Sequence, residues 1–190
     1  YLDGENIIDN LGNKKTLIGK VKILTMLKGL HNIENILSSI AASIHIGLTH
    51  DQIRLTLPKY QSLPNRLETV YISKNLEIIN DSKATNFESC KVALSCFKQV
   101  IWIAGGRRKK EDFEYLKKNI KNIKAAFFIG ESSLDFLNYF KNYFYCENSI
   151  LLNNAINGAI DFSKNIKGNK TILFSPGCSS FDQFKNFEDR

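Results

Sequence analysis

Nowhere does this chain string together the roughly 18 apolar residues that a membrane-spanning helix requires, so a soluble protein is expected. Its opening Tyr1-Leu2-Asp3-Gly4-Glu5 has neither the basic start nor the apolar stretch of a secretory signal. Cysteine is sparse. Cys90, Cys96, Cys146 and Cys178 form no C-x-x-C pair and have no partnering histidine cluster, which argues against both a zinc site and a disulfide framework. Free thiols in a reducing cytoplasm are the expectation. His31 and His45 stand fourteen residues apart, so a metal site shared with His50 is not indicated, and His45 reads as a helix-surface residue. Also missing are a GxxxxGK[ST] phosphate loop, which Gly105-Gly106-Arg107-Arg108-Lys109-Lys110 does not disguise, and any set of nucleophile, base and orienting group. No internal repeat or low-complexity tract is present.

What the chain does have is an excess of positive charge, +7 in all. That invites a polyanion partner. Of the 26 basic residues, however, 21 are lysine and 5 arginine, and lysine accumulates with Asn and Ile as in an AT-rich coding background. No aromatic-basic pattern of a nucleic-acid module accompanies it, so neither nucleic acid nor membrane is expected as a partner. A local cluster such as Arg107-Arg108-Lys109-Lys110 suits an anionic small molecule equally well. With 190 residues, 43% of them hydrophobic, the chain can bury one full domain and a piece of another. Tyr1 is not an initiator methionine, and Arg190 falls in what reads as an apolar-periodic helix without a stop signal, so a fragment of a longer protein is expected.

Residues 7 to 27 read as short strands at Ile7-Ile8, Thr16-Leu17-Ile18 and Val21 to Leu24, separated by the turn signals Gly12-Asn13 and Gly19. Ile33, Ile36, Leu37, Ile40, Ala41 and Ile44 then follow the spacing of a one-faced helix that Gly47 ends. Thr49 with Gln52 opens a shorter helix, and Pro58 and Pro64 mark a linker near residue 60. Beyond it strand and helix alternate. Strands are predicted at 68–72, 76–80, 100–104, 125–129, 143–146 and 171–174, with helices at 86–97, 111–120, 133–141, 150–164 and from Ser180 onward. Such alternation implies crossover connections and an α/β, doubly wound, mostly parallel Rossmann-like sheet. The ends of the strands at Asn80, Ala104 and Phe174 should deliver three polar loops to one edge of that sheet, where such sheets bind ligands.

The richest of these loops is Asn80-Asp81-Ser82-Lys83-Ala84-Thr85-Asn86, in which Thr85 and Glu88 also have the spacing of a capping box. It resembles the signature of the Mur ligases that add D-glutamate to UDP-N-acetylmuramoyl-L-alanine in peptidoglycan synthesis. Three further elements of that family's pattern recur in order: Gly29-Leu30-His31-Asn32-Ile33-Glu34-Asn35, Leu63-Pro64-Asn65-Arg66-Leu67-Glu68, and the run Ser175-Pro176-Gly177-Cys178-Ser179-Ser180-Phe181-Asp182-Gln183-Phe184-Lys185-Asn186-Phe187. Together they span most of the chain. Sibling ligases, and in looser form the folylpolyglutamate synthases, carry a tyrosine and a proline at this strand end that Lys83-Ala84-Thr85-Asn86 lacks. A non-catalytic module that binds an acidic small molecule is the alternative from another class.

The resemblance implies an ATP-dependent ligase working through an acyl phosphate. Residues 1–60 would be the tail of its central ATP-binding domain and 61–190 its C-terminal, amino-acid-binding domain. ATP and Mg2+ are the implied cofactors, with the metal ligands mainly outside this chain. D-glutamate, ATP and UDP-N-acetylmuramoyl-L-alanine are the implied partners of a monomeric, cytoplasmic enzyme. Matched residue by residue, Asn32 and Asn35 fall on adenine contacts, Arg66 on a contact to the nucleotide phosphates and Asp81 on a ribose contact. Lys83, Thr85, Lys109, Ser180 and Phe187 fall on positions around D-glutamate, Ser180 through its hydroxyl and a helix N-terminus, Phe187 through its backbone. Read without the family, Asn32 is a helix N-cap, Arg66 a salt-bridge partner of Glu68, and Phe181, Phe184 and Phe187 core packing. The loop departs from the family at Arg107 and Arg108, which leaves Arg107 and Lys110 as conceivable substitutes for Lys109. Asn65 replaces a usual histidine, and Gly177 a common alanine, with little consequence foreseen for either.

Overall fold

A computed structural model describes residues 1–12, 14–25 and 27–190. They form two compact units, Tyr1–Ser62 and Leu63–Arg190.

In the first unit, strands β1 (Leu2–Asp3), β2 (Asn6–Asp9) and β3 (Thr16–Lys20) make an antiparallel sheet in that order. Gly4, at φ 59°, supplies the left-handed turn between β1 and β2, a hairpin that the sequence reading passed over. Asn13 of the Gly12-Asn13 turn signal lies outside the described residues. Val21–Leu24, expected as a strand, is instead a single helical turn, α1, closed by the Thr25 N–H donating to the Val21 carbonyl at 3.0 Å. Four apolar residues carry no period that separates strand from helix, and packing of Leu24 into the core decides it. Helix α2 (Leu30–His45) buries Ile36 and Ile40 and ends ahead of Gly47 at φ 95°. Asn32 therefore lies inside the first turn and is not its cap, which is Gly29. The Thr49–Gln52 capping box is present at the start of α3 (His50–Thr56). Arg54 ties α3 to the sheet through the Ile18 and Leu17 carbonyls at 2.8 and 2.6 Å.

The second unit is a six-stranded sheet in the order β4-β5-β9-β6-β7-β8, parallel except for the β4–β5 pair. Its strands are β4 (Glu68–Ile72), β5 (Leu76–Asn80), β6 (Val100–Gly105), β7 (Ile123–Ile129), β8 (Tyr145–Ile150) and β9 (Lys170–Phe174). All of β6 is buried, and period two sends alternate residues to opposite cores. Trp102 joins Phe87, Phe128, Phe136 and Phe140 on the face covered by α4 (Phe87–Ser95) and α5 (Ser133–Phe140). Ile101 and Ile103 meet Ala155 and Ala159 of α6 (Leu152–Ser163) on the other. Helix α6 carries the chain back from β8 so that β9 slots between β5 and β6. The order of progression reverses there, the arrangement that opens a crevice at the carboxyl ends of such strands.

Three expectations fail in this unit. The segment at 111–120 forms a 3-10 helix, Phe113–Asn122, with Asp112 as its side-chain cap. Ile150 ends β8 at φ 62° and does not begin a helix. After Ser180 the chain makes turns and no helix. One helical turn starts there, with the Phe184 N–H on the Ser180 carbonyl at 2.9 Å, but two of the later donors go to side chains. The Lys185 N–H goes to Asp189 Oδ2 and the Asp189 N–H to Asn186 Oδ1. Such local bonds compete with a helical ladder.

Candidate active site

Three neighbouring parallel strands, β5, β9 and β6, send their following loops to one edge, with Asn80 paired to Phe174 and Ile103 to Phe174. The loop after β5 is drawn inward. Asp81 is 7% exposed, its Oδ2 accepting from Ser175 Oγ at 2.9 Å and its Oδ1 from the Leu67 N–H at 3.2 Å. Burial outweighs those bonds and the nearby Arg66 charge and pushes the Asp81 carboxyl up to about 6. The Ser175 carbonyl in turn accepts from Trp102 Nε1 at 2.9 Å. A buried network thus runs from β6 through the loop after β9 to Asp81.

Arg66 is exposed on the turn that Asp81 grips. Asn65 and Leu67 on either side of it adopt φ values of 61° and 46°, costly for residues with a side chain. The turn is held by Asn80 Nδ2 donating to Asn65 Oδ1 at 2.9 Å and by the Lys83 N–H donating to the Asn65 carbonyl at 3.1 Å. Glu68, the alternative partner of Arg66, accepts from the Asn65 N–H at 2.9 Å.

The cap of α4 is Asn86, whose side chain accepts from the Ser89 N–H at 2.8 Å, and not the Thr85–Glu88 box. Thr85 therefore stands half-buried just ahead of the helix. Glu111, from the loop after β6, also accepts at this terminus, from the Phe87 N–H at 3.1 Å. Lys83 places its ammonium 3.7 Å from the centroid of the Phe187 ring.

The loop after β6 depends on two glycines. Gly105 and Gly106 have φ of 118° and 128°, and a Cβ on either would lie 2.1 Å from the Ile129 carbonyl oxygen or 2.4 Å from that of Ser179. The four basic residues that follow divide by partner. Arg107 makes a two-bond pair with Glu131 at 2.7 and 3.0 Å, and Arg108 donates to the Glu111 carbonyl at 3.0 Å while lying over the Phe113 ring. Lys109 and Lys110 are exposed and form no ion pair among the described residues. Arg107 is thus the less available substitute.

In the loop after β9, Ser180 is buried, but no helix starts there, so the expected helix N-terminus is absent. The Phe187 backbone is present at the edge, its carbonyl accepting from Ser82 Oγ at 2.8 Å. Phe181 is 63% exposed, and Phe184 and Phe187, though half-buried, join neither core of this unit, so core packing is not borne out for the three. Gly177 adopts φ 65°, where alanine would be strained, so this position matters more than its sequence suggested. The sequence reading missed Ser175 as the partner of Asp81, and it missed Arg190. Both act through backbone or buried groups far away in the chain, which no local spacing signals.

In the first unit, Asn32 Nδ2 donates to the Lys28 carbonyl at 2.7 Å, which occupies one of its two amide hydrogens, and Asn35 is exposed one turn on. A cavity of about 260 Å³ in that unit, lined by Ile7, Ile8, Ile18, Leu37, Ile40 and Ile44 among others, includes none of the candidate residues. Among the described residues no three His, Cys, Asp or Glu side chains gather as a metal site, and no helix is long and apolar enough to cross a membrane.

No protein-family model matches the chain. Curated proteins do. A UDP-N-acetylmuramoylalanine–D-glutamate ligase from Prochlorococcus marinus strain MIT 9515 is 43% identical over 171 residues, 86% of this chain and 35% of that protein. Ligases of the same name from Agrobacterium fabrum and Rickettsia prowazekii are 34% and 35% identical over 100% and 99% of the chain, and 41% and 42% of their own length. Across most of its length the chain is similar to these ligases. It spans 35 to 42% of the length of these relatives, matching their C-terminal part. Solved structures share the Mur ligase fold at low identity: UDP-N-acetylmuramate-alanine ligase from Thermotoga maritima has a TM-score of 0.60 at 16% identity, over 80% of this chain and 35% of that one. FolC of E. coli in complex with ADP has a TM-score of 0.55 at 17%, over 94% and 44%.

Proposed function

We propose that this chain is the amino-acid-binding portion of a cytoplasmic ligase that uses ATP to join D-glutamate to UDP-N-acetylmuramoyl-L-alanine in peptidoglycan synthesis. The observation that carries the reading is the 43% identity to a relative of that name across 86% of the chain. The geometry supports it, because a dianionic amino acid needs cations and oriented donors at one edge, and Lys109 and Lys83 stand on two of the three converging loops. In this reading Lys109, Lys83 and Thr85 hold or surround D-glutamate, with the Ser180 hydroxyl and the Phe187 backbone at its other carboxylate. An exposed lysine without an ion-pair partner is a ready site for a carboxylate.

ATP is the cofactor in this reading, in keeping with the ADP complex of FolC: the motif match assigns adenine to Asn32 and Asn35 of the first unit and, separately, phosphate to Arg66 and ribose to Asp81 of the second. Asn32, Asn35 and Arg66 fit that group in kind, since amides offer a donor and an acceptor to a base edge and a guanidinium offers a fork to phosphate, whereas Asp81 is buried with both oxygens already bonded. ATP with Mg2+ would supply the activation of the muramoyl carboxylate. This chain's part is to bind and orient the attacking amino acid. The test is a panel of acceptors offered to the intact ligase with ATP and UDP-N-acetylmuramoyl-L-alanine. D-glutamate should be joined far faster than L-glutamate, L-alanine or a diamino acid, and preferential use of any of those three would overturn the assignment.

A further inference from the structure

The side chain of Arg190 bonds two of the three strand-end loops and comes near the third. Its Nε donates to Ser82 Oγ at 3.1 Å and one Nη to the Ser82 carbonyl at 2.8 Å, both in the loop after β5. The other Nη donates to the Cys178 carbonyl at 3.1 Å, in the loop after β9. In the loop after β6, a Cβ added to Gly106 would lie 3.4 Å from that same nitrogen, so the guanidinium lies across the space that glycine leaves open. No carboxylate among the described residues forms an ion pair with it. Its surroundings are carbonyls, a hydroxyl and the Phe174 ring 5.7 Å away. Burial lowers its pKa to about 10, which leaves it charged at neutral pH.

A charge partly removed from water without a counter-ion costs free energy unless hydrogen bonds offset the loss. Here the planar fork satisfies two loop carbonyls at once, which a flexible ammonium with one point of charge does poorly. The Ser82 hydroxyl that accepts from Arg190 also donates to the Phe187 carbonyl, so the clamp extends to the backbone assigned above to a substrate carboxylate. We infer that Arg190 is a positioning residue that fixes the β5 and β9 loops of the amino-acid site relative to one another. It does so through Ser82 and Cys178, and touches no reacting atom. The kinetic part of this inference rests on the functional reading above; the structural part does not.

Two measurements separate them. Amide hydrogen exchange on the 190-residue chain addresses the clamp alone. Arg190→Ala should speed exchange by about tenfold or more in the 82–84 and 178–187 loops, by local opening, while the amides of β6 and β7 keep their protection. Arg190→Lys, which keeps charge and stem, should give the same pattern at smaller size and serves should the alanine variant fail to fold. Unchanged exchange in both loops would overturn the clamp. In the intact ligase, Arg190→Lys should raise the KM for D-glutamate by about tenfold, the loss of one charge-assisted hydrogen bond, with a smaller change for ATP. Added methylguanidinium should restore part of that loss in Arg190→Ala. Equal effects on both substrates, without such rescue, would reduce Arg190 to a general stability residue. A wild-type ligase that refuses D-glutamate would sink the functional reading and leave the exchange result to decide the clamp.

Discussion

Replacing Asp81 by asparagine should stabilise the second unit at neutral pH, and by an amount that depends on pH. The carboxyl is 7% exposed and its pKa rises from 3.8 to about 6, chiefly through burial. A carboxyl with a raised folded-state pKa holds its proton longer in the native state than in the unfolded one. Its contribution is fully present below pH 3.8 and is lost as pH rises through 6. The difference of about two pKa units corresponds to about 3 kcal/mol, lost by pH 8. Asparagine does not titrate. Its Oδ1 can still accept from the Leu67 N–H, and its Nδ2 can donate to Ser175 Oγ with the serine hydroxyl turned round, so both bonds at Asp81 survive. The stability gap between Asp81→Asn and the parent chain should therefore widen in favour of the variant by about 3 kcal/mol between pH 4 and pH 8. Urea unfolding followed by the fluorescence of Trp102, the chain's one tryptophan, reports this unit directly, since Trp102 is fully buried and bonded to the Ser175 carbonyl. A gap that stays constant with pH, or an asparagine variant less stable at pH 8, would refute the argument.

Other outcomes follow from local geometry. Asn86→Ala should cost about 1 kcal/mol in the same unfolding assay through loss of the α4 cap, and Thr85→Ala less than about 0.5 kcal/mol. The reverse order would return the cap to Thr85. Gly105→Ala should cost at least about 2 kcal/mol, because it combines strained φ with a Cβ in contact with the Ile129 carbonyl, and a neutral result would contradict the placement of that loop.

The parts of this fold that could be read from sequence are those where one physical signal dominates. Ile33 to Ile44 at helical spacing, and the apolar runs of β5, β6, β7 and β9 between helices, needed no tertiary information. The order of the sheet did need it, because only packing of α6 against Ile101 and Phe127 determines that β9 inserts beside β5. Phe181, Phe184 and Phe187 mimicked a helix because their spacing is that of one face. What their spacing could not reveal is that the Asp189 and Asn186 side chains take the N–H groups of Lys185 and Asp189, two donors that a continuing helix would use. Likewise Thr85 and Asn86 are both good caps, and the choice fell on the residue that lets Phe87 enter the aromatic cluster with Phe113 and Phe136. At the site, Asp81, Lys83, Thr85, Lys109, Ser180 and Phe187 stand on the converging loops, but the groups that hold those loops were invisible. Ser175 reaches Asp81 across 94 residues and Arg190 reaches Ser82 across 108, so each bond exists only once the sheet is assembled.

The central claim, that the edge formed by the β5, β6 and β9 loops receives an acidic amino acid, is tested most directly at Lys109. In the intact ligase, Lys109→Ala should raise the KM for D-glutamate by roughly ten- to a hundredfold, the value of one charge-assisted hydrogen bond, while the KM for ATP stays within about twofold. If the constant for D-glutamate stayed put in Lys109→Ala and also in Lys110→Ala, the basic loop would play no part in binding the acceptor, and the site proposed at this edge would be wrong.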